Sequence, residues 1–529
     1  MVAGDKIRRV LILQKLISKF YLLLDINHVD MSCIESAYFE FHYPDNNLDV
    51  VGPEEQFGVL RLKTGKVKIT SRPTFLFFSI DNTASMNERT NTFVSKMDIV
   101  KQSFKSIILY LSGLDAPIYV SVHTFNESIN IIADKIRITK DNVDELIENI
   151  SNIRADYSTD IELALTNAKT VIQEYKEEHP EHQIAHIFMT DGHATQGNQN
   201  KNYLSKLIEE TDCGSVFIGF GNDHNVSLLK MFSENKRSFY QYIRDFESTA
   251  SVYGELLHPY LYPCIEKFTI LVKNGQIYDW TKNEWTDQFD EDILIGQTEK
   301  IYHIKKTKDA NIAVDVYGID MTIGGTEKGH IETMTELPHL FTEETGDIIA
   351  ADLMPYMFRH KTLEKMYCVS KTDNLTIEQR SSLRSEINDL YIKLRDYMAV
   401  NGKSDDAFMC QLCDDLYITH TSLKTFDTQM LTLSRYTSQG RQQTNVSTPR
   451  RQNIYNFNCP PPPRPGRMAR QKTATLDPLN LFEDSSPQFE QSNSVEEIES
   501  YEMSQSTTSC YASPTVLDTM TQIQTHKIN

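Results

Sequence analysis

Six consecutive positions, Phe75 to Ile80, read Phe-Leu-Phe-Phe-Ser-Ile. A strand with one face in water alternates apolar and polar residues. A run this continuous predicts a strand buried on both faces, as in a parallel sheet covered by helices. Downstream, apolar residues at helical spacing (Met97, Val100, Phe104, Ile107, Ile108, Leu111) predict a helix over 94–114. Further strands are predicted at 118–122, 129–138, 184–189 and 216–220, and helices at 143–150, 161–175, 203–210, 226–232 and 248–257. This rhythm predicts an α/β domain over residues 72–260, with a doubly wound, mostly parallel, Rossmann-like sheet.

The pattern differs on either side. Residues 1–71 read as an amphipathic helix to Ile26 and then short strands, Gly58–Leu62 and Val67–Thr70, with a turn at Thr64-Gly65. After the domain, Phe268–Val272, Ile301–Ile304 and Ile312–Tyr317 alternate, and Asn274-Gly275 reads as a turn linking two of these runs. They predict a small antiparallel β unit over 261–342, expected to form one sandwich with 45–71 around the α/β domain. Residues 343–433 read as helical, over Asp347–Tyr367 and Ile377–Met398. From 434 to 529, Gln, Asn, Ser, Thr and Pro dominate, and a disordered tail is expected.

Composition narrows the classes. The chain has 529 residues, 40% apolar and 24% charged, with a mean hydropathy of −0.41, so a sizeable core is within reach. Its formal net charge of −20 argues against nucleic acid as a partner, since phosphate neutralisation needs clustered Lys and Arg. Eight cysteines, with Cys410 and Cys413 the only close pair, fit a reducing compartment better than a disulfide scaffold. Lys15 and Lys19 interrupt the apolar N-terminal run and no small-residue cleavage site follows. Neither a signal peptide nor a transmembrane segment is therefore expected, which points to the cytoplasm.

Ligands in open α/β sheets sit at the carboxyl ends of the strands. After Phe75–Ile80 come Asp81, Thr83 and Ser85 at every second position; in an extended loop these point one way. Thr159 opens a helix, and Asp191 follows Ile184–Met189 within Thr190-Asp191-Gly192. Three strand-end loops thus offer only carboxylate and hydroxyl oxygens, a donor set suited to Mg²⁺ or Mn²⁺. The pattern resembles the von Willebrand factor A (vWA) domain, whose metal-ion-dependent adhesion site (MIDAS) reads Asp-x-Ser-x-Ser, then Thr, then Asp. Asp81, Thr83 and Ser85 match the first loop, Thr159 the second and Asp191 the third, and Ile218-Gly-Phe-Gly221 fits the next strand. Thr83 and Ala84 depart from the usual Ser and Gly. The resemblance implies that the hydroxyls touch the metal, that the aspartates often act through water, and that one position stays open for a partner's Glu or Asp. Asp191 is expected on an exposed loop. The β unit and helical segment beyond the domain look like those of intracellular vWA proteins.

Other motifs carry less. Cys410-Gln-Leu-Cys413 has only Cys368, His360 and His420 as further zinc candidates and reads better as helix packing. His186 reads as strand packing and His193 as a loop residue at the rim of the site. There is no nucleophile elbow or phosphate-binding loop, and no catalytic function is expected. In the tail, Pro462, Pro465 and Arg467 fit the Pro-x-x-Pro-x-Arg pattern read by SH3-type domains, although a stiff linker has the same composition. Eight basic residues between Arg435 and Lys472 are followed by nine acidic ones between Asp477 and Asp518. The expectation is an intracellular protein-interaction module that binds a partner's acidic residue through a divalent metal. The alternatives are a metal-independent scaffold or regulatory subunit and a ubiquitin-pathway factor with a zinc module.

Overall fold

The computed structural model describes residues 33–42, 48–89 and 94–442 apart from several short stretches, together with Ile498 and residues 510–525. The helix expected up to Ile26, and Pro462, Pro465 and Arg467, lie outside the described residues. Among the described residues, two strands, β1 (Ile34–Phe41) and β2 (Glu55–Thr64), come first. The α/β domain follows with β3 (Thr74–Asp81), α1 (Lys96–Ser112), β4 (Ile118–Phe125), β5 (Ile129–Arg137), α2 (Val143–Ser151) and α3 (Ile161–Glu178). It continues with β6 (Gln183–Thr190), α4 (Lys201–Thr211), β7 (Gly214–Phe220), α5 (Val226–Ser233), β8 (Ser238–Ile243) and α6 (Phe246–Leu261).

The sheet order is β5-β4-β3-β6-β7-β8, parallel throughout except for the antiparallel β4–β5 edge. All eight residues of β3 are buried, and the reason is visible in their side-chain directions. Leu76, Phe78 and Ile80 enter a core shared with α1, α2 and α6, whereas Phe75 and Phe77 pack on the other face against Ala168, Ile172 and Tyr175 of α3. A period of two with helices on both faces leaves no position facing water.

The second unit holds β9 (Pro263–Lys273), β10 (Gln276–Asp279), β11 (Glu284–Thr286), β12 (Gln288–Ile295), β13 (Glu299–Thr307), β14 (Ala313–Asp320) and β15 (Lys328–Ile331). One sheet runs β11-β10-β13-β2-β1 and ends on the short strand Thr335–Glu336; the other runs β12-β9-β14-β15. Strand β2, from before the α/β domain, pairs with β13, from after it. Leu60 and Leu62 of β2 share a core with Phe268, Ile270, Val314 and Val316 of the opposite sheet, while Phe57 and Val59 face a layer of helices. Val67–Thr70 is not a strand. It leads into the α/β domain with the Thr70 N–H bonded to Leu261 O, 2.8 Å, and the partners of β2 are β1 and β13. Asn274-Gly275 turns the chain from β9 in one sheet to β10 in the other, so it is a corner rather than a hairpin.

Among the described residues, four helices follow: α7 (Met354–Lys371), α8 (Ile377–Val400), α9 (Ala407–Ser422) and α10 (Gln429–Arg441). Helix α7 starts seven residues later than its apolar pattern suggests, because Pro355 is tolerated only in a first turn. The tail boundary at 434 is also corrected: α10 runs through it, and Ser434, Arg435 and Tyr436 are buried. A last helix, α11 (Pro514–Thr525), packs on α6 and α1, with Val516, Met520 and Ile523 buried. Both segments lie in a stretch rich in Gln, Ser and Thr but carry enough apolar residues at helical spacing to dock. Among the described residues no helix is long and apolar enough to cross a membrane.

Candidate metal centre

Strand β3 ends at Asp81, whose side chain is fully buried. Its Oδ1 accepts the Thr83 N–H at 2.9 Å, and its Oδ2 accepts the Thr190 hydroxyl at 2.5 Å. The loop is therefore not extended. It makes an Asx-type turn and then a short 3₁₀ helix, Ala84–Asn87, which brings Thr83 Oγ1 and Ser85 Oγ to 3.0 Å. The two hydroxyls face one way, through a turn rather than through extended alternation.

Thr159 precedes Asp160, the N-cap of α3. Its N–H donates to Thr195 Oγ1 at 2.9 Å, and its carbonyl accepts the backbone N–H groups of Thr195 and Gln196. The second loop is thus pinned by the third. Gly197, at φ +67°, closes over Asp160 where a Cβ would meet Oδ1 at 2.4 Å. Asp191 leaves β6 with its Oδ1 accepting the Ser85 hydroxyl at 2.7 Å. The expected exposed loop position is corrected: Asp191 is 1% exposed.

The three loops converge on Gly192. A Cβ placed there would lie 3.4 Å from Thr159 Oγ1, 3.7 Å from Ser85 Oγ and 3.9 Å from Asp81 Oδ2. A side chain here would stand in van der Waals contact with all three oxygens and take up the space between them. Its charge is uneven. Burial, and then the nearby Asp191 charge, push the Asp81 carboxyl up to about 6, against the hydrogen bonds from Thr190 and Thr83. Buried carboxylates with hydroxyls around them fit a hard divalent cation, and Asp81, Thr83, Ser85, Thr159 and Asp191 are the residues able to hold it.

Sequence reasoning missed Lys96. From the first turn of α1 its Nζ reaches Asp191 Oδ2 and Glu88 Oε2, each at 2.7 Å, with its own side chain 7% exposed. Burial pulls its ammonium down, but the bonds to Asp191 and Glu88 outweigh this and hold it above the ordinary lysine value. A signal was present: Lys96 stands one turn before Val100 on the apolar stripe of α1, where a charge is out of place. His224 was also missed. It packs over Gly219, where a Cβ would meet its Nε2 at 2.1 Å, and bonds Tyr240 Oη at 2.7 Å. His186 bonds Ser79 within the core, and His193 is exposed.

Beside the first loop lies an open groove of about 450 Å³, with Arg89, Lys101 and Arg154 in its walls and Asp98 as their only acidic companion among the described residues. It is tied to the site, since Asn82 Nδ2 donates to Arg154 O and Asn87 Nδ2 to Ala155 O. Around Cys410 and Cys413 no group of three metal-ligating atoms forms among the described residues; Cys413 is buried against Met398.

Residues 76–255 match the model of the von Willebrand factor type A domain. No curated protein matches the chain. Among solved structures, a von Willebrand factor type A protein from Catenulispora acidiphila is 14% identical, over 75% of this chain and 90% of that one, with a TM-score of 0.44. The ArnB paralog VWA2 from Sulfolobus acidocaldarius is 13% identical, over 77% and 97%, with a TM-score of 0.41. Proximal thread matrix protein 1 from the mussel byssus, with a zinc-occupied MIDAS motif, is 15% identical over 35% and 47%, with a TM-score of 0.29. The match of sequence to family model, over the segment that folds as the mostly parallel sheet, makes residues 76–255 of this chain a von Willebrand factor type A domain.

Proposed function

We propose that the chain is a protein-binding module that captures a partner's acidic side chain through Mg²⁺ or Mn²⁺ held by Asp81, Thr83, Ser85, Thr159 and Asp191. The observation that carries this is the convergence of Asp81, Ser85 and Thr159 oxygens from two loops on Gly192 of the third, whose neighbour Asp191 bonds the Ser85 hydroxyl. When bound, the cation supplies an open coordination position to an incoming carboxylate. The chain's own residues do the rest. Thr190 and the Thr83 N–H fix the Asp81 carboxylate, Ser85 fixes one Asp191 oxygen, and the Thr195–Gln196 backbone holds Thr159 at the rim. Arg89, Lys101 and Arg154 favour a partner whose acidic residue stands among other acidic residues.

One observation favours a second reading. The Lys96 ammonium is a cation already built into the site, so the domain can also act as a metal-independent scaffold. The test compares capture of partners from a lysate by the full chain in Mg²⁺, in EDTA, and as Asp81→Asn, with melting curves to confirm folding. The metal reading expects both treatments to weaken capture tenfold or more, equivalent to about 1.4 kcal/mol. Partners that survive chelation and substitution overturn it in favour of the scaffold.

A further inference from the structure

A second group of metal-ligating side chains stands at the other end of β6. His182 precedes that strand and Asp191 follows it, so the two ends are separated by roughly 25 Å of extended chain. The connection from α3 to β6 reads His179-Pro180-Glu181-His182, and one ligand atom from each of His179, Glu181 and His182 lies within 4.8 Å of the others. The donor set differs from the first site: two imidazoles and one carboxylate suit Zn²⁺ and cations of similar softness, not Mg²⁺.

His182 is the anchored member of the group, while the Glu181 side chain is 64% exposed. His182 Nε2 lies 3.1 Å from Glu181 Oε1, close to the ~3.3 Å edge of a tetrahedron with 2.0 Å bonds. Its other nitrogen, Nδ1, is 2.9 Å from the Tyr175 hydroxyl. Tyr175 is itself fixed, 1% exposed and stacked on Phe75 with centroids 3.8 Å apart. With Nδ1–H donated to that phenol oxygen, the ring presents its Nε2 lone pair outward, which is how an outer hydrogen bond commonly orients a metal-binding histidine. The His179 ring stacks on His182, with centroids 4.6 Å apart and planes at 10°, so it must turn out of that stack to aim its in-plane lone pair at a shared ion. The backbone is pinned as well. The His179 N–H bonds Tyr175 O at 2.8 Å, the His182 N–H bonds His179 O at 3.1 Å, and Arg72 Nε donates to Glu181 O at 2.7 Å.

We propose that His179, Glu181 and His182 form a second metal site, for Zn²⁺ or a similarly soft divalent cation, at the end of the domain remote from Asp81. Three protein ligands leave a fourth position for water or a ligand from outside. This site shares no residue with the first, and the Mg²⁺ reading can fail without it.

The test is Zn²⁺ titration of the full chain against a chromophoric chelator, in an Asp81→Asn background that disables the first site. One equivalent of Zn²⁺ is expected to bind, and excess Mg²⁺ is expected not to displace it. Adding His179→Ala or Glu181→Gln, both at solvent-accessible positions, should weaken binding tenfold or more with an unchanged melting curve. Tyr175→Phe keeps the ring and removes only the hydroxyl; it should weaken binding about 10–100-fold. Absence of Zn²⁺ binding in the Asp81→Asn protein, or Zn²⁺ binding indifferent to His179→Ala and Glu181→Gln, overturns the proposal.

Discussion

Lys96 and Asp191 stand 95 residues apart in the chain and touch in the fold, Nζ to Oδ2 at 2.7 Å, with both side chains buried. The ammonium offsets one of the two carboxylate charges at the end of β3 and β6. It holds one Asp191 oxygen while Ser85 holds the other.

Lys96→Met should therefore separate stability from metal affinity. Breaking a buried ion pair by removing one partner costs about 3 kcal/mol or more, so the protein in EDTA should melt lower. The remaining pair of carboxylates attracts a divalent cation more strongly, so Mn²⁺ should bind more tightly and restore much of the lost stability. Calorimetric titration and melting curves with and without Mn²⁺ read both effects. Weaker Mn²⁺ binding in Lys96→Met would show that Lys96 supports the site instead of competing with a metal.

Asp81→Asn should act in the opposite direction. A carboxyl raised to about 6 from an ordinary 3.8 makes its ionised form at pH 7 cost roughly 3 kcal/mol. The amide removes that cost and can keep the bond from the Thr83 N–H, but it leaves one hydrogen bond with Thr190 in doubt, at about 1 kcal/mol. The variant should melt higher than the parent in EDTA and bind Mn²⁺ at least tenfold more weakly. A lower melting temperature in EDTA would contradict the charge argument.

Stability should fall between pH 7 and pH 5. Burial holds His186 and His258 down to about 3 and His224 to about 4. Their neutral forms favour folding above the unfolded value near 6.5, and that advantage is lost as the pH drops towards the folded values. At pH 5 each group costs up to roughly 2 kcal/mol. Asp81 has the opposite sign, because its raised value lets the folded state take up a proton below pH 6, but at pH 5 it returns only about 1 kcal/mol. The histidines win, and the urea midpoint should drop. Neither ring nitrogen of His258 has a hydrogen-bond partner among the described residues, so His258→Phe should raise the midpoint and flatten its pH dependence. An unchanged slope in that variant would remove His258 from this account.

The end of the helical region can be tested at Arg435. Its guanidinium pairs with Asp415 of α9, both buried, and Gln439 Nε2 donates to the other Asp415 oxygen at 2.6 Å. Arg435→Ala leaves a buried carboxylate without its cation, which typically costs about 3–5 kcal/mol. The urea midpoint should fall accordingly, and a chain ended at Ser434 should fare worse, because it also loses Tyr436. A neutral outcome for Arg435→Ala would return the boundary to 434.

Much of the α/β domain was legible because burial on both faces leaves an unbroken apolar signal, as in Phe75–Ile80. Strand β8 was not, although all six of its residues are buried. It reads Ser-Phe-Tyr-Gln-Tyr-Ile, and its polar atoms are accommodated from elsewhere, as when Tyr240 bonds His224. A buried strand that carries its own polar groups looks like a surface segment until its partners are known. The Pro355 boundary, by contrast, was available from local chemistry alone and the apolar period overrode it.

For the candidate site, the sequence by itself determined the donor types. Asp81, Thr83 and Ser85 lie within five residues, and each loop follows a recognisable strand or opens a recognisable helix, so oxygen-only chemistry could be read without coordinates. Tertiary structure alone decided that Asp191 is buried, that Lys96 neutralises it, and that Gly192 leaves room between three loops. A sandwich spanning the α/β domain was expected from the alternating runs on either side of it, but that β2 and β13 are the strands that pair, and in which register, was decided only in space. The physical reason is range. Periodicity and spacing are set by the local backbone geometry of helices, strands and turns, so they appear in the order of residues. Charge compensation and sheet pairing are set by distance in space, and contacts between residues 95 or more than 200 positions apart leave no mark on their neighbours in the chain.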